Sequence, residues 1–321
     1  MRVLFWGTPE FATPPLRALV GEGHEVVGVV TQPDRPRKGR GRSTLDASPV
    51  KTVAIEEGIP VLQPDRPRGE EFVASIRALW PDISVVVAYG HILPKDVIDL
   101  PRLGTLNIHA SLLPLYRGAA PIQAAIRDGR TVTGVSIMRM VPELDAGPVI
   151  LTLRTDILPD ETGGELQLRL AELGAEGIVE TLALLELGGA LEQPQDDARA
   201  TYARKIERDD AMVDWGEAAD DIERLIRAYD PKPGAWTQRG DAEVRLFGAK
   251  VVDGAAPTTT GAPAPGTVLT ADGDGLVVAT ARGAVRVQEV HPAGRKRQSA
   301  GDWARGRGVA VGDVLGPPRP A

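Results

Sequence analysis

The chain has 321 residues, 42% of them hydrophobic, a formal net charge of −7 and no cysteine. That length suggests two domains, each able to bury its own core, and the missing cysteine excludes disulfides and thiolate metal sites. The acidic balance argues against a bulk nucleic-acid binder while leaving room for a local basic site. No basic segment precedes the first apolar run and no stretch reaches the length of a membrane span, so a cytoplasmic protein with no membrane partner is expected.

Residues 3–6 form a short apolar run closed by Gly7, and 11–19 follow with helical spacing, which predicts strand, turn and helix. Residues 25–31 read as a second strand. The turn after the first strand lacks G-x-G-x-x-G, so its backbone is poorly suited to cradle a dinucleotide pyrophosphate, and a dehydrogenase is disfavoured. Residues 32–48 read as a loop, because Pro33, Pro36, Gly39 and Gly41 interrupt regular structure. That loop carries Arg35, Arg37, Lys38, Arg40 and Arg42, five cations within eight residues. Such a run is most often a solvated turn, but it also suits phosphate binding.

Helical patterns follow at 49–57 and 69–79, and 83–88 is a run, β-branched at 83 and 85–87, of the kind buried on both faces of a parallel sheet. Alternating strands and helices predict a doubly wound, mostly parallel Rossmann-like α/β domain, whose ligands sit at the carboxyl ends of the strands. Tyr89-Gly90 and the stretch from Ser111 to Pro114 are such ends.

At 105–109 polar side chains interrupt an apolar strand. Asn107 and His109 stand at i and i+2, so an extended backbone points both to one face. An unpaired polar group in the interior costs kilocalories, so Val or Ile would be the cheaper choice unless these residues serve chemistry. Pro121 opens a helix. Residues 132–140 and 148–155 read as two strands joined by a loop holding Glu143, Asp145 and Gly147, and 164–187 as a long amphipathic helix. The expected division is a catalytic domain at 1–188, a polar linker at 189–206 and a second domain at 207–321. In the last, a helix at 218–229 precedes short strands at 243–247, 266–269, 275–280 and 284–290, which suggests a small β-barrel.

Taken singly, these signals have structural readings. A lone strand histidine is more often a satisfied core residue, and Asp145-Ala-Gly147 is a common turn. Ser111 lacks a G-x-S-x-G elbow and lies alongside His109 as its i+2 neighbour, which disfavours a Ser-His-Asp hydrolase. Four histidines with no H-E-x-x-H pattern offer no recognisable metal cluster, and no metal is expected.

Together, Asn107-Ile-His-Ala-Ser-Leu-Leu-Pro114 and Tyr116-Arg-Gly-Ala-Ala-Pro-Ile-Gln123 resemble the signature of the folate-dependent formyltransferases. Gly7-Thr-Pro-Glu-Phe-Ala12, Thr31-Gln-Pro-Asp-Arg35, Val85-Val-Val-Ala-Tyr-Gly90, Leu144-Asp-Ala-Gly147 and Asp214-Trp215 extend the resemblance in order from about Arg2 to Trp303. It implies a catalytic trio of Asn107, His109 and Asp145. Asn107 would donate to the formyl oxyanion, His109 would donate to it or move the proton, and Asp145 would orient the imidazole and relay the proton through water. The resemblance also implies 10-formyltetrahydrofolate as cosubstrate, held by Ser111, Leu112, Leu113 and Pro114 with Tyr89, Gly90 and Leu93 beside the pterin. It implies an OB-like barrel for the second domain, and as acceptor the α-amino group of methionine esterified to initiator tRNA, with the basic loop at the acceptor end. A monomer is expected. A sugar-nucleotide N-formyltransferase and an inactive tRNA-binding paralogue are the alternatives. Leu115 and Lys232 depart from the family, which commonly has Arg or Lys and Trp there; the first puts in doubt a contact at the site's mouth, the second the packing at the domain junction.

Overall fold

The computed structural model describes residues 1–36, 45–252 and 263–316. The chain folds into two compact units: Met1–Pro121, Val132–Asp156 and Gln167–Arg204 form one, and Ile122–Thr131, Ile157–Leu166 and Lys205–Ala321 form the other. In chain order the elements are β1 (Arg2–Gly7), α1 (Thr13–Gly21), β2 (Glu25–Val30), β3 (Arg35–Pro36), β4 (Leu45–Asp46), α2 (Pro49–Glu56), β5 (Val61–Leu62) and α3 (Glu70–Ala78). Then come β6 (Ile83–Val87), α4 (Lys95–Ile98), β7 (Thr105–His109), β8 (Arg117–Gly118), α5 (Pro121–Arg127), β9 (Val132–Arg139), β10 (Val149–Asp156), α6 (Gly163–Glu186) and β11 (Tyr202–Ala203).

The main sheet of the first unit has the order β10-β9-β7-β6-β1-β2-β5. Its five parallel strands are extended at one side by β9 and β10, each antiparallel to its neighbour. The order departs from β1 in both directions, so a topological switch lies between β1 and β6, where open α/β sheets leave a crevice at the carboxyl ends. Strand β6 is buried throughout, as its β-branched run requires. Its one polar residue, Ser84, accepts a hydrogen bond from the Trp6 indole at 3.2 Å, so neither polar group is orphaned.

Helix α6 decides which face of β7 remains available. Its Gly174 lets the helix come so close that an added Cβ would lie 2.9 Å from Ile108 Cγ2. Leu106 and Ile108 are thereby taken up on the face that α6 covers, and alternation turns Asn107 and His109 to the other. Where composition predicts only a loop at 32–48, Arg35 pairs with Asp46 and Pro36 with Leu45, a two-residue ladder too short to leave a periodic signal. Strand β5 and helix α4 escape sequence reading for the same reason.

The second unit contains α7 (Ala219–Ala228), β12 (Ala235–Arg239), β13 (Ala242–Val251), β14 (Val268–Asp272), β15 (Gly275–Ala279), β16 (Ala284–Pro292), β17 (Gln298–Ser299) and α8 (Ala300–Arg305). Its sheet is antiparallel in the order β12-β13-β16-β15-β14, with β17 on β16. An irregular stretch links the two outer strands: Val268 donates to Asp313 O, and Leu315 and Gly316 donate to Gly266 O and Gln238 O, each at 2.8 Å. The small barrel suggested by the short strands therefore closes through residues 313–316 and not through a strand pair. Helix α7 buries Ile222, Leu225 and Ile226, an i, i+3, i+4 stripe.

Asp82 ties the start of β1 to the start of β6. Its Oδ2 accepts the Arg2 backbone N–H and its Oδ1 the Arg102 guanidinium, both at 2.9 Å, and the Arg2 bond foremost holds the carboxyl below its ordinary pKa. A depressed folded-state pKa adds stability above the unfolded value, which disappears as pH falls through the folded one. Asp82→Asn should therefore lower the urea midpoint at neutral pH, with the gap to wild type closing below about pH 4. A gap that is absent at neutral pH, or constant into acid, would contradict this.

Candidate active site

Strand β7 sets Asn107 and His109 on one face, against Met138 and Ser136 of β9. Asn107 is half-buried, and its amide bonds no other described residue, so its N–H groups remain free for a ligand. His109 is buried. Its Nε2 lies 2.9 Å from the Tyr116 carbonyl, which can only accept, so Nε2 carries a hydrogen. The other ring nitrogen, Nδ1, faces Asp145 Oδ2 at 3.7 Å. That separation is too long for a direct hydrogen bond but suits an ion pair when the ring is protonated. Both nitrogens thus meet protein groups, and Nε2 can reach a formyl oxygen only by giving up Tyr116.

Asp145 reaches His109 through an unusual backbone. Its φ is +49°, a left-handed conformation that costs a non-glycine residue about 1 kcal/mol. The Gly118 N–H donates to Oδ2 at 2.8 Å and fixes the carboxylate. Two residues on, an added Cβ at Gly147 would lie 1.9 Å from Arg139 O, so only glycine fits. The carbonyls of Asp145 and Gly147 accept from Gln195 Nε2 at 2.8 and 2.7 Å. Gln195 Oε1 in turn accepts from Arg117 at 3.1 and 2.9 Å, and Arg117 also reaches Asp197 at 2.7 Å.

Ser111 is fully buried, its hydroxyl donating to Leu115 O at 2.6 Å. Ser136 donates to Ser111 O at 2.8 Å and accepts the Leu113 N–H at 3.1 Å, which shapes the turn carrying the half-buried Leu112, Leu113 and Pro114. Tyr89 and Leu93 sit in the apolar core with Trp6, Val86 and Val97. Among the described residues the Tyr89 hydroxyl is buried without a partner, and burial pushes it up to about 12. Gly90, by contrast, is exposed at the end of β6, beside Gln32, whose side chain donates to Tyr89 O at 3.0 Å. Of the basic loop, Arg35 belongs to β3, whereas Arg37, Lys38, Arg40 and Arg42 lie outside the described residues. At its start both Asp34 oxygens are engaged, by Lys51 at 2.5 Å and by Gln63 at 2.8 Å, and these bonds hold the carboxyl below its ordinary pKa.

Gln195, Asp197 and Ser136 carry no motif that singles them out. Gln195 lies in a stretch whose polarity reads as linker, and its signal could have come only from pairing with the buried Arg117.

A doubly wound sheet with an amide donor, an imidazole and a carboxylate gathered beside β7 is the layout of a group transferase built on strand ends. Residues 1–182 match the family described as formyl transferase, and residues 205–308 its C-terminal domain. The chain belongs to the formyl transferase family. The methionyl-tRNA formyltransferase of Symbiobacterium thermophilum is 47% identical over 319 residues, covering 99% of this chain and 96% of the relative. That of Pseudomonas syringae is 44% identical over 318 residues, covering 98% of each. Among solved structures, HypX from Aquifex aeolicus in complex with tetrahydrofolic acid shares the fold, with a TM-score of 0.63 and 20% identity over 94% of this chain and 46% of its own.

The packing at Gly147 gives a direct check. Gly147→Ala should lower stability by about 1–3 kcal/mol, because the new methyl overlaps a backbone oxygen that cannot swing aside. A urea midpoint equal to wild type would show that the loop relaxes freely.

Proposed function

We propose that this chain transfers the formyl group of 10-formyltetrahydrofolate to the α-amino group of methionine esterified to initiator tRNA, as a cytoplasmic monomer. The observation that carries the reading is the grouping of Asn107, His109 and Asp145 on one side of β7, with Asp145 Oδ2 3.7 Å from His109 Nδ1. The full-length relatives named for methionyl-tRNA favour that acceptor over a sugar-nucleotide amine and over an inactive paralogue. Among the described residues no helix is long and apolar enough to cross a membrane.

The chemistry asks little of the protein. A free α-amino group titrates near pH 8 and the adjacent ester lowers that value, so much of it is already neutral under physiological conditions and no strong base is needed. Bound 10-formyltetrahydrofolate supplies the formyl carbon. The amide of Asn107, free of protein partners among the described residues, donates to the formyl oxygen as negative charge grows there. His109 holds one proton on Nε2 against Tyr116 O, so Nδ1 is the atom that takes the proton released by the attacking nitrogen. The imidazolium so formed is stabilised by Asp145, and the proton passes on to N10 of the departing tetrahydrofolate. Leu112, Leu113 and Pro114 after β7, with exposed Gly90 after the adjacent β6, supply an apolar lip for a flat ring.

For the tRNA, the basic loop is the favoured contact. In the second unit Arg297 is already engaged, stacked 4.0 Å over Phe247 and bonded to Glu289 and Asp230. Arg204 and Lys205 likewise have partners.

The reading is tested by formyl transfer from 10-formyltetrahydrofolate to methionyl-tRNA with purified protein. Asn107→Ala and His109→Ala should each lower kcat by about 10²–10³ while folate affinity is retained. Wild-type turnover in His109→Ala would remove that residue from the chemistry. Replacing Arg40 and Arg42 together with Ala should flatten the dependence of log tRNA affinity on log salt by roughly 1.4 to 1.8, about 0.7 to 0.9 for each phosphate no longer neutralised. Parallel salt dependences would show the loop to be a solvated turn.

A further inference from the structure

The segment that follows α6 lies against the active-site loops. Gln193 pairs with Val149, Thr201 accepts the backbone N–H of Arg117 at 2.8 Å, and Tyr202 and Ala203 run parallel to Arg117 and Gly118. In its middle, Gln195 touches the Asp145 loop on one side and Arg117 on the other. Chemistry fixes the orientation of its amide. Oxygen faces a guanidinium that can only donate and nitrogen faces two carbonyls that can only accept, so a flipped amide would oppose like groups at every contact.

This bridge addresses a specific problem. Asp145 must hold a left-handed φ of +49° for its carboxylate to reach both Gly118 N–H and His109, and such a conformation persists only where the surroundings impose it. Gln195 bonds the carbonyls on both sides of Ala146, at 145 and 147, and so clamps the turn from beneath. Arg117, only 3% exposed and bonded to Asp197 as well, anchors the clamp and immediately precedes Gly118 in sequence. The backbone that carries Asp145 and the backbone that grips its carboxylate are thus joined through two side chains, Gln195 and Arg117.

We infer that Gln195 is a positioning residue for formyl transfer: its amide holds the Asp145 turn in the geometry that sets the carboxylate opposite His109. The inference rests on the catalytic reading of Asp145 given above. It requires amide N–H donors, and mere attachment to Arg117 does not suffice. Gln195→Glu separates the two roles. It is isosteric and strengthens the contact with Arg117, but it offers no donor to the carbonyls of 145 and 147 and sets negative oxygen against them.

The experiment is steady-state formyl transfer to methionyl-tRNA by full-length Gln195→Glu, Asp145→Asn and the double variant, with folate KM and thermal midpoint measured alongside. Gln195→Glu should lower kcat at least about tenfold while leaving the folate KM near wild type, and should cause no further loss in the Asp145→Asn background, since groups acting as a unit are not additive. Gln195→Asn, which keeps the amide but withdraws it by one carbon, should show the same split and serves if Gln195→Glu does not fold. Wild-type kcat in Gln195→Glu, or losses that multiply with Asp145→Asn, would overturn the positioning role. Wild-type kcat in Asp145→Asn would instead overturn the catalytic reading beneath it.

Discussion

One contact organises the site: the Asp145 carboxylate, 3.7 Å from the His109 ring, on a left-handed backbone that a non-glycine residue adopts at a cost. Left-handed geometry there costs about 1 kcal/mol. Each hydrogen bond that enforces it contributes about 1 kcal/mol net, and there are three, one from Gly118 to the side chain and two from Gln195 to the flanking carbonyls. The balance favours a held turn, and the carboxylate is already in place before a substrate arrives, which is where electrostatic stabilisation has its advantage.

The sheet makes that arrangement possible. Glycine at 174 lets α6 press onto Ile108, so one face of β7 is committed to the core and its alternate residues, Asn107 and His109, face the other side. The antiparallel partner β9 brings Ser136 beside His109, and the Ser136 hydroxyl shapes the turn from Ser111 to Leu113. Core packing, strand register and loop geometry therefore converge on a few ångströms around the end of β7.

Much of this was legible in the residues. Polar Asn107 and His109 at a strand's i and i+2 positions are costly unless used, and the β-branched run at 83–87 fixes a buried parallel strand beside them. Asp145 was visible through its motif, although nothing in Leu144-Asp-Ala-Gly147 announces a left-handed aspartate. Gln195 was not visible: a glutamine in a polar stretch has no periodicity, and its partners lie about 50 and 80 residues away in sequence. Strand β12 carries no pattern that singles out Ala235-Trp-Thr237, and the closing segment at 313–316 joins the outer strands through backbone bonds, which leave no signal in the residues.

The central claim is that His109 and Asp145 act as one proton-handling unit. A double-mutant cycle on kcat for methionyl-tRNA, with His109→Ala, Asp145→Asn and the pair, tests it most directly. The account predicts that the double variant is scarcely worse than the poorer single one. Strict additivity of the two losses would show that the residues work independently and would contradict the account.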